Sequence, residues 1–198
     1  MNGGAGPLGL LEAAEMIGHH VWSERRGFEV LGSWTASIDD GAVKAMVDRH
    51  AQHHAWRAAQ WWERLPVLAQ IDRYDLVVAP STPAAAMVEA LSRLTSPVGR
   101  MAGAYRVALP RLAAAYRRHL SRTSPVTDGP TIRTLTMVLA DVEEDWREGE
   151  VSLQALLSTP TAAYEAGDIV GRLEVILSGA SLRSTDGGGA PDAQGTGR

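Results

Sequence analysis

The sequence contains no cysteine. Disulfide staples, thiolate zinc sites, cysteine-ligated iron–sulfur clusters and a cysteine nucleophile are excluded with it. No apolar run reaches the roughly 18 residues that mark a membrane-crossing helix, so no membrane partner is expected. Strand signals are nearly missing: Leu76-Val77-Val78 is the one candidate, and it is short. No glycine-rich phosphate loop follows a strand, and no Gly-x-Ser-x-Gly elbow occurs. Excess positive charge is lacking too. The 19 basic residues face 23 acidic ones, for a net charge of −4. A general nucleic-acid surface is therefore not expected.

What is present suits a globular domain. The 198 residues are 45% hydrophobic and 21% charged, which fits one domain with a tail. Residues 1–7 read as a flexible leader and 8–180 as a helical bundle. Residues 181–198, with Gly187-Gly188-Gly189 and Pro191, read as a disordered tail. The start lacks a basic targeting region, so a soluble cytoplasmic protein is expected.

Between the Gly and Pro breaks, apolar residues recur at helical spacing. Long helices are predicted over about 8–37, 40–64, 98–121 and 130–157. Shorter ones are predicted over about 83–95 and 161–178. Pro110 falls inside the third long segment and predicts a kink there. The fold class is all-α: an antiparallel four-helix bundle with a long connection between its second and third helices and an additional C-terminal helix.

Polar residues on the apolar stripes are the informative ones. At about 100° per residue, Glu24 falls about 20° from Ile17, near the middle of the first stripe. His50 and His54 fall about 20° either side of the Val43 line on the second helix, with His53 at its edge. Tyr105 and Tyr116 lie on the third stripe and His119 at its margin, with no carboxylate between Glu89 and Asp128. On the fourth, Glu143 lies nearest, about 80° from Leu135. These residues give a candidate inner site: Glu24, His50, His54 and Glu143 as metal ligands, with His53, Tyr105 and Tyr116 around them. Carboxylate with imidazole suits iron or manganese, with zinc the lesser choice for redox chemistry.

Plainer readings stand beside this one. A buried Glu24 needs a partner, which an arginine of a neighbouring helix, His50 or His54 can supply as well as a metal. Tyr105 and Tyr116 read equally as core residues with satisfied hydroxyls. The acids from Asp141 to Asp145 read as a solvated face, and His19 and His20 as surface residues. Trp56, Trp61 and Trp62 read as packing, or as part of a homodimer formed through helix faces. Arg106, Arg111, Arg117, Arg118 and Arg122 read as a solvated basic face, with contact to RNA as the sharper alternative.

The stretches 21–62 and 102–150 resemble the ferritin-like superfamily, in particular uncharacterised actinobacterial ferritin-like proteins. They are distantly similar to its di-iron tRNA hydroxylase branch. The resemblance implies Glu, Glu-x-x-His, Glu and Glu-x-x-His on successive helices. Glu24 matches the first position. His50-Ala51-Gln52-His53 carries His in place of the Glu, the third helix supplies no carboxylate, and Glu143-Glu144-Asp145-Trp146 ends in Trp. The expectation is a divergent site, mononuclear or a degenerate di-metal centre, in an oxidoreductase. A metal-free structural or protein-interaction bundle is the alternative, and an RNA-associated protein the third reading.

Overall fold

Asp40 starts the second helix by accepting hydrogen bonds from the Ala42 and Val43 amides at 2.8 and 3.0 Å, which satisfies donors that a helix start leaves open. Ser81, Ser96, Asp128 and Thr159 do the same for later helices, each with a proline in the first turn. The computed structural model describes residues 8–179. The expected leader and tail lie outside the described residues.

The helices are α1 (Leu10–Trp34), α2 (Gly41–Arg64), α3 (Thr82–Ser92), α4 (Pro97–Ala102), α5 (Leu109–Arg122), α6 (Gly129–Leu156) and α7 (Pro160–Leu177). Among the described residues there is no strand; an isolated bridge joins Leu68 and Ile71. The strand expected at Leu76-Val77-Val78 is absent. Leu76 instead closes a 3-10 turn (Arg73–Leu76), and its carbonyl lies against Gly18 of α1 where a Cβ would not fit.

Between α4 and α5 the chain takes the wider π-helical form over Gly103–Ala108. Pro110 lacks an N–H, and its ring would crowd the carbonyl of residue 106 in a regular α-helix. The expected distortion thus appears as a π segment just ahead of the proline rather than as a bare kink. That segment carries Tyr105, which is buried.

α1 pairs with α2 and α5 with α6, each pair joined by a short connection, and α2 packs on α6. α3 packs on α7, and α7 packs against α4 and the π segment. Buried apolar residues form two clusters. One joins Leu31, Trp34, Val47, Met101, Leu109 and Leu153. The other joins Ile17, Val21, Trp61, Leu135, Val138 and Val142. Along α1, α2 and α6 the buried Glu24, His54, Arg57 and Asp145 fall between members of these two clusters, so apolar packing flanks them on both sides.

Two residues that the helical period places on or near the apolar stripes turn outward: Phe28, about 20° from Ile17, and Glu143. Phe28 is 45% exposed; at that level α1 meets α2 through Gly27, whose Cα lies against the His54 ring. The buried face of α6 runs through Leu135, Val138, Val142, Asp145 and Gly149 rather than toward Glu143.

Candidate functional site

Glu24 of α1 is completely buried. Its Oε1 accepts from Arg57 Nε at 2.9 Å and from the Tyr116 hydroxyl, and its Oε2 faces His54 Nδ1. Trp61 Nε1 in turn donates to the Tyr116 oxygen at 2.9 Å. Burial alone would raise the Glu24 pKa. The Arg57 guanidinium, His54 and the Tyr116 hydrogen bond outweigh it and hold the carboxyl below its ordinary value. Burial, with the Glu24 charge beside it, pushes the Tyr116 hydroxyl well up, so it stays a donor.

Arg57 is also completely buried. Its Nη1 donates to Asp145 Oδ2 at 2.9 Å and to Asp141 Oδ2. One guanidinium therefore joins the acid of α1 to two acids of α6. Although burial opposes the charge, Glu24 and Asp145 raise the Arg57 pKa further.

The free edge of Asp145 turns to the histidines. Its Oδ1 lies 2.8 Å from His53 Nδ1 and 3.4 Å from His50 Nε2. His50 Nε2 also meets Glu148 Oε2 at 3.0 Å, and Arg49 pairs with the same carboxylate. Since Nε2 faces only acceptors, it carries the ring proton, and Nδ1 accepts from the Tyr105 hydroxyl at 2.8 Å. Burial lowers the His50 pKa, against the pull of Asp145 and Glu148. The Arg49 and His50 hydrogen bonds lower that of Glu148.

The expected residues are thus divided. Glu24, His54 and Tyr116 meet in one part of the network, and His50, His53 and Tyr105 in another, with Arg57 and Asp145 linking the two. Glu143 joins neither. It pairs with Arg117 on the outer face, where it is 31% exposed. The acids from Asp141 to Asp145 are not a uniformly solvated face, because Asp145 is buried and Asp141 half-buried. His20 is not a surface residue: it is buried, as is His119 from the margin of the third stripe, with His20 Nε2 3.0 Å from His119 Nδ1. Burial pushes His119 down to about 4 and His20 well below its ordinary value. The arginines of the third long helix do not form a free basic face. Arg106, Arg111, Arg117 and Arg122 pair with Glu150, Glu174, Glu143 and Glu12.

Sequence reasoning missed Arg57, Asp145 and Glu148 as site residues. The signal for Asp145 was present: measured from Val142, it lies about 60° away and Glu143 about 100° on the other side. Gly149 on the same line marks the face pressed against a neighbour, since a Cβ there would overlap the Tyr105 ring. Arg57 lies about 40° from the Val43 line of α2, well within the stripe.

His53, Asp141 and Asp145 each bring a ligand atom to within 4.8 Å of the others. Two ligands each about 2.1 Å from one ion, at a right angle, stand about 3 Å apart. The 2.8 Å separation of His53 Nδ1 from Asp145 Oδ1 suits that spacing. The paired-iron pattern fits poorly. The segment 97–122 provides tyrosines where it wants a carboxylate, and the Arg57 guanidinium joins the acids that two ions would share.

No family model, no curated protein and no solved structure matches this chain. Among the described residues no helix is long and apolar enough to cross a membrane.

Proposed function

We propose that this protein is a ferritin-like helical bundle that binds one divalent transition-metal ion at the α2–α6 edge, with His53, Asp141 and Asp145 as ligands and His50 beside them. The observation that carries this reading is the convergence of those three ligand atoms. Charge supports it. Among the buried and bridging groups, the carboxylates Glu24, Asp141, Asp145 and Glu148 face two guanidiniums, Arg57 and Arg49. With neutral histidines two negative charges remain, which a dication balances.

The surroundings suit a metal site. Arg57 holds Asp141 and Asp145 by their Oδ2 atoms and leaves the Oδ1 of Asp145 on the histidine side. Tyr105 fixes the His50 ring, and its hydroxyl can accept as well as donate, so it serves either tautomer. His53 is 36% exposed and Asp141 30%, so water or another exchangeable ligand would be able to reach an ion held there. Mixed imidazole and carboxylate donors suit iron or manganese, and with them metal-assisted oxidation. A metal-free structural bundle is the second reading. It rests on Arg57, a cation already placed among three of the same carboxylates.

Metal analysis of untagged protein expressed with added iron or manganese separates the two. The metal reading expects one ion per chain, lost in His53→Ala and in Asp145→Asn. Metal-free wild type after supplementation, with no binding on titration with Fe(II), Mn(II) or Zn(II), would leave the structural bundle.

A further inference from the structure

We propose a second site, independent of the α2–α6 edge: a cavity that binds an amphipathic organic anion carrying a hydroxyl or N–H donor. It has a volume of about 420 Å³ and is walled by α1, α3 and α5, with His54 among its lining residues. That size lies within the usual range for small-molecule sites.

Three observations define the ligand. The walls are mainly apolar, with Met16, Leu31, Met87, Leu91, Leu109 and Leu112 among them. They take an apolar body. No Asp or Glu lines the cavity, whereas Arg26, Arg111 and Arg118 do. In a chain of net charge −4 this is a local reversal of sign. Arg26 and Arg111 pair with Glu29 and Glu174, neither of which lines the cavity, and Arg118 has no ion-pair partner among the described residues. The rim therefore favours an anionic group.

The third observation is an unpartnered atom. His54 is 3% exposed, and its Nε2 has no hydrogen-bond partner among the described residues. Nδ1 faces the Glu24 carboxylate, a contact that favours the tautomer with its proton on Nδ1 and Nε2 as the acceptor. A buried acceptor without a donor is costly. A ligand hydroxyl or N–H supplies the donor. Glu24 thereby acts as a positioning residue, because it sets which imidazole nitrogen is offered. Gly27 makes room for that ring: a Cβ there would come within 2.5 Å of Nδ1 and 2.6 Å of Cε1.

The chain's own C-terminal end is a poor occupant. α7 ends at Leu177, which lines the cavity, but beyond Gly179 the sequence offers only one large apolar side chain, Leu182. A small amphipathic anion answers the apolar walls, the arginine rim and the free acceptor together.

The test is fluorescence titration of the full chain with two dyes. 1-Anilinonaphthalene-8-sulfonate joins an apolar ring system, an N–H and a sulfonate. N-Phenyl-1-naphthylamine keeps the rings and the N–H but lacks the charge. The sulfonate dye is expected to bind saturably at one site and to move the ¹⁵N signal of His54 Nε2. Ala115→Phe and Ala84→Phe, both filling the cavity, should each weaken it about tenfold or more while unfolding stays cooperative. Arg118→Glu should weaken the sulfonate dye about tenfold and the neutral dye less than about twofold. Absence of saturable binding, or equal binding by wild type and both filled variants, would overturn the proposal. So would binding that appears only after removal of residues 180–198, which would assign the cavity to the chain's own end.

Discussion

Arg57 Nε donates to Glu24 Oε1 over 2.9 Å, and neither side chain reaches solvent. Their separation in sequence is 33 residues, so the pair forms only when α1 and α2 close on each other. Removing one partner leaves a buried charge. Arg57→Met is expected to cost about 3–5 kcal/mol in urea denaturation. Adding Glu24→Gln and Asp145→Asn to it should restore about half of the loss or more, since neither fully buried carboxylate is then left charged and Asp141, the third partner of Arg57, is 30% exposed and reaches water. Arg57→Lys should fall between, because one ammonium cannot span acids on α1 and α6 as the guanidinium fork does.

Gly149 presses directly on the Tyr105 ring. Ala in its place puts a methyl inside the space of Cδ1 and Cε1, and the ring, with no exposure of its own, has nowhere cheap to move. Gly149→Ala should lower stability by about 1–3 kcal/mol. It should also disturb the Tyr105–His50 hydrogen bond, visible as a change in the tyrosine near-ultraviolet circular dichroism. An unchanged denaturation midpoint would contradict a tight contact between α6 and the π segment.

Acid should loosen the His20–His119 pair before it reaches the carboxylates. Burial holds His119 at about 4 in the folded protein against an ordinary 6.5. Between these values the unfolded chain binds the proton and the folded one does not, so stability falls as pH drops. The His119 shift alone accounts for roughly 2 kcal/mol lost between pH 7 and pH 5, near the top of that fall. His20, also depressed, adds to it in the same direction. His119→Gln should flatten the slope of stability against pH from 6.5 to 5. Glu24 and Glu148, held below their ordinary values, contribute stability that is lost only as pH falls further.

Asp145 and Glu143 are two residues apart on α6 and should behave as unlike groups. Glu143→Gln breaks a surface pair with Arg117 and should change stability by less than about 1 kcal/mol, with metal uptake unaltered. Asp145→Asn keeps the shape but weakens the hold on Arg57 and His53. It should abolish metal uptake and lower stability by at least about 2 kcal/mol. Equal effects from both substitutions would contradict the orientation of α6.

Much of the fold was legible in the sequence. Caps and prolines fixed where helices begin, since a cap acts on amides two or three residues away, and the 3.6-residue period fixed that the chain is helical. The same arithmetic placed Glu24, His50 and His54 indoors. It chose the wrong acid on α6 because rotation was measured from Leu135 alone, and the face a helix buries depends on its neighbours. Arg57 was passed over because a basic side chain on a stripe reads as an exception until an acid is seen opposite.

The sequence by itself determined the helical elements, their ends and the presence of ionisable groups on their inner faces, because these follow from interactions within a few residues. Only the tertiary structure decided which acid meets which base. It split the histidines between Glu24 and Asp145, placed Arg57 between them and set His54 in a cavity wall with its Nε2 unpartnered. Those pairings join residues tens of positions apart, and they are set by how far each helix turns as it packs.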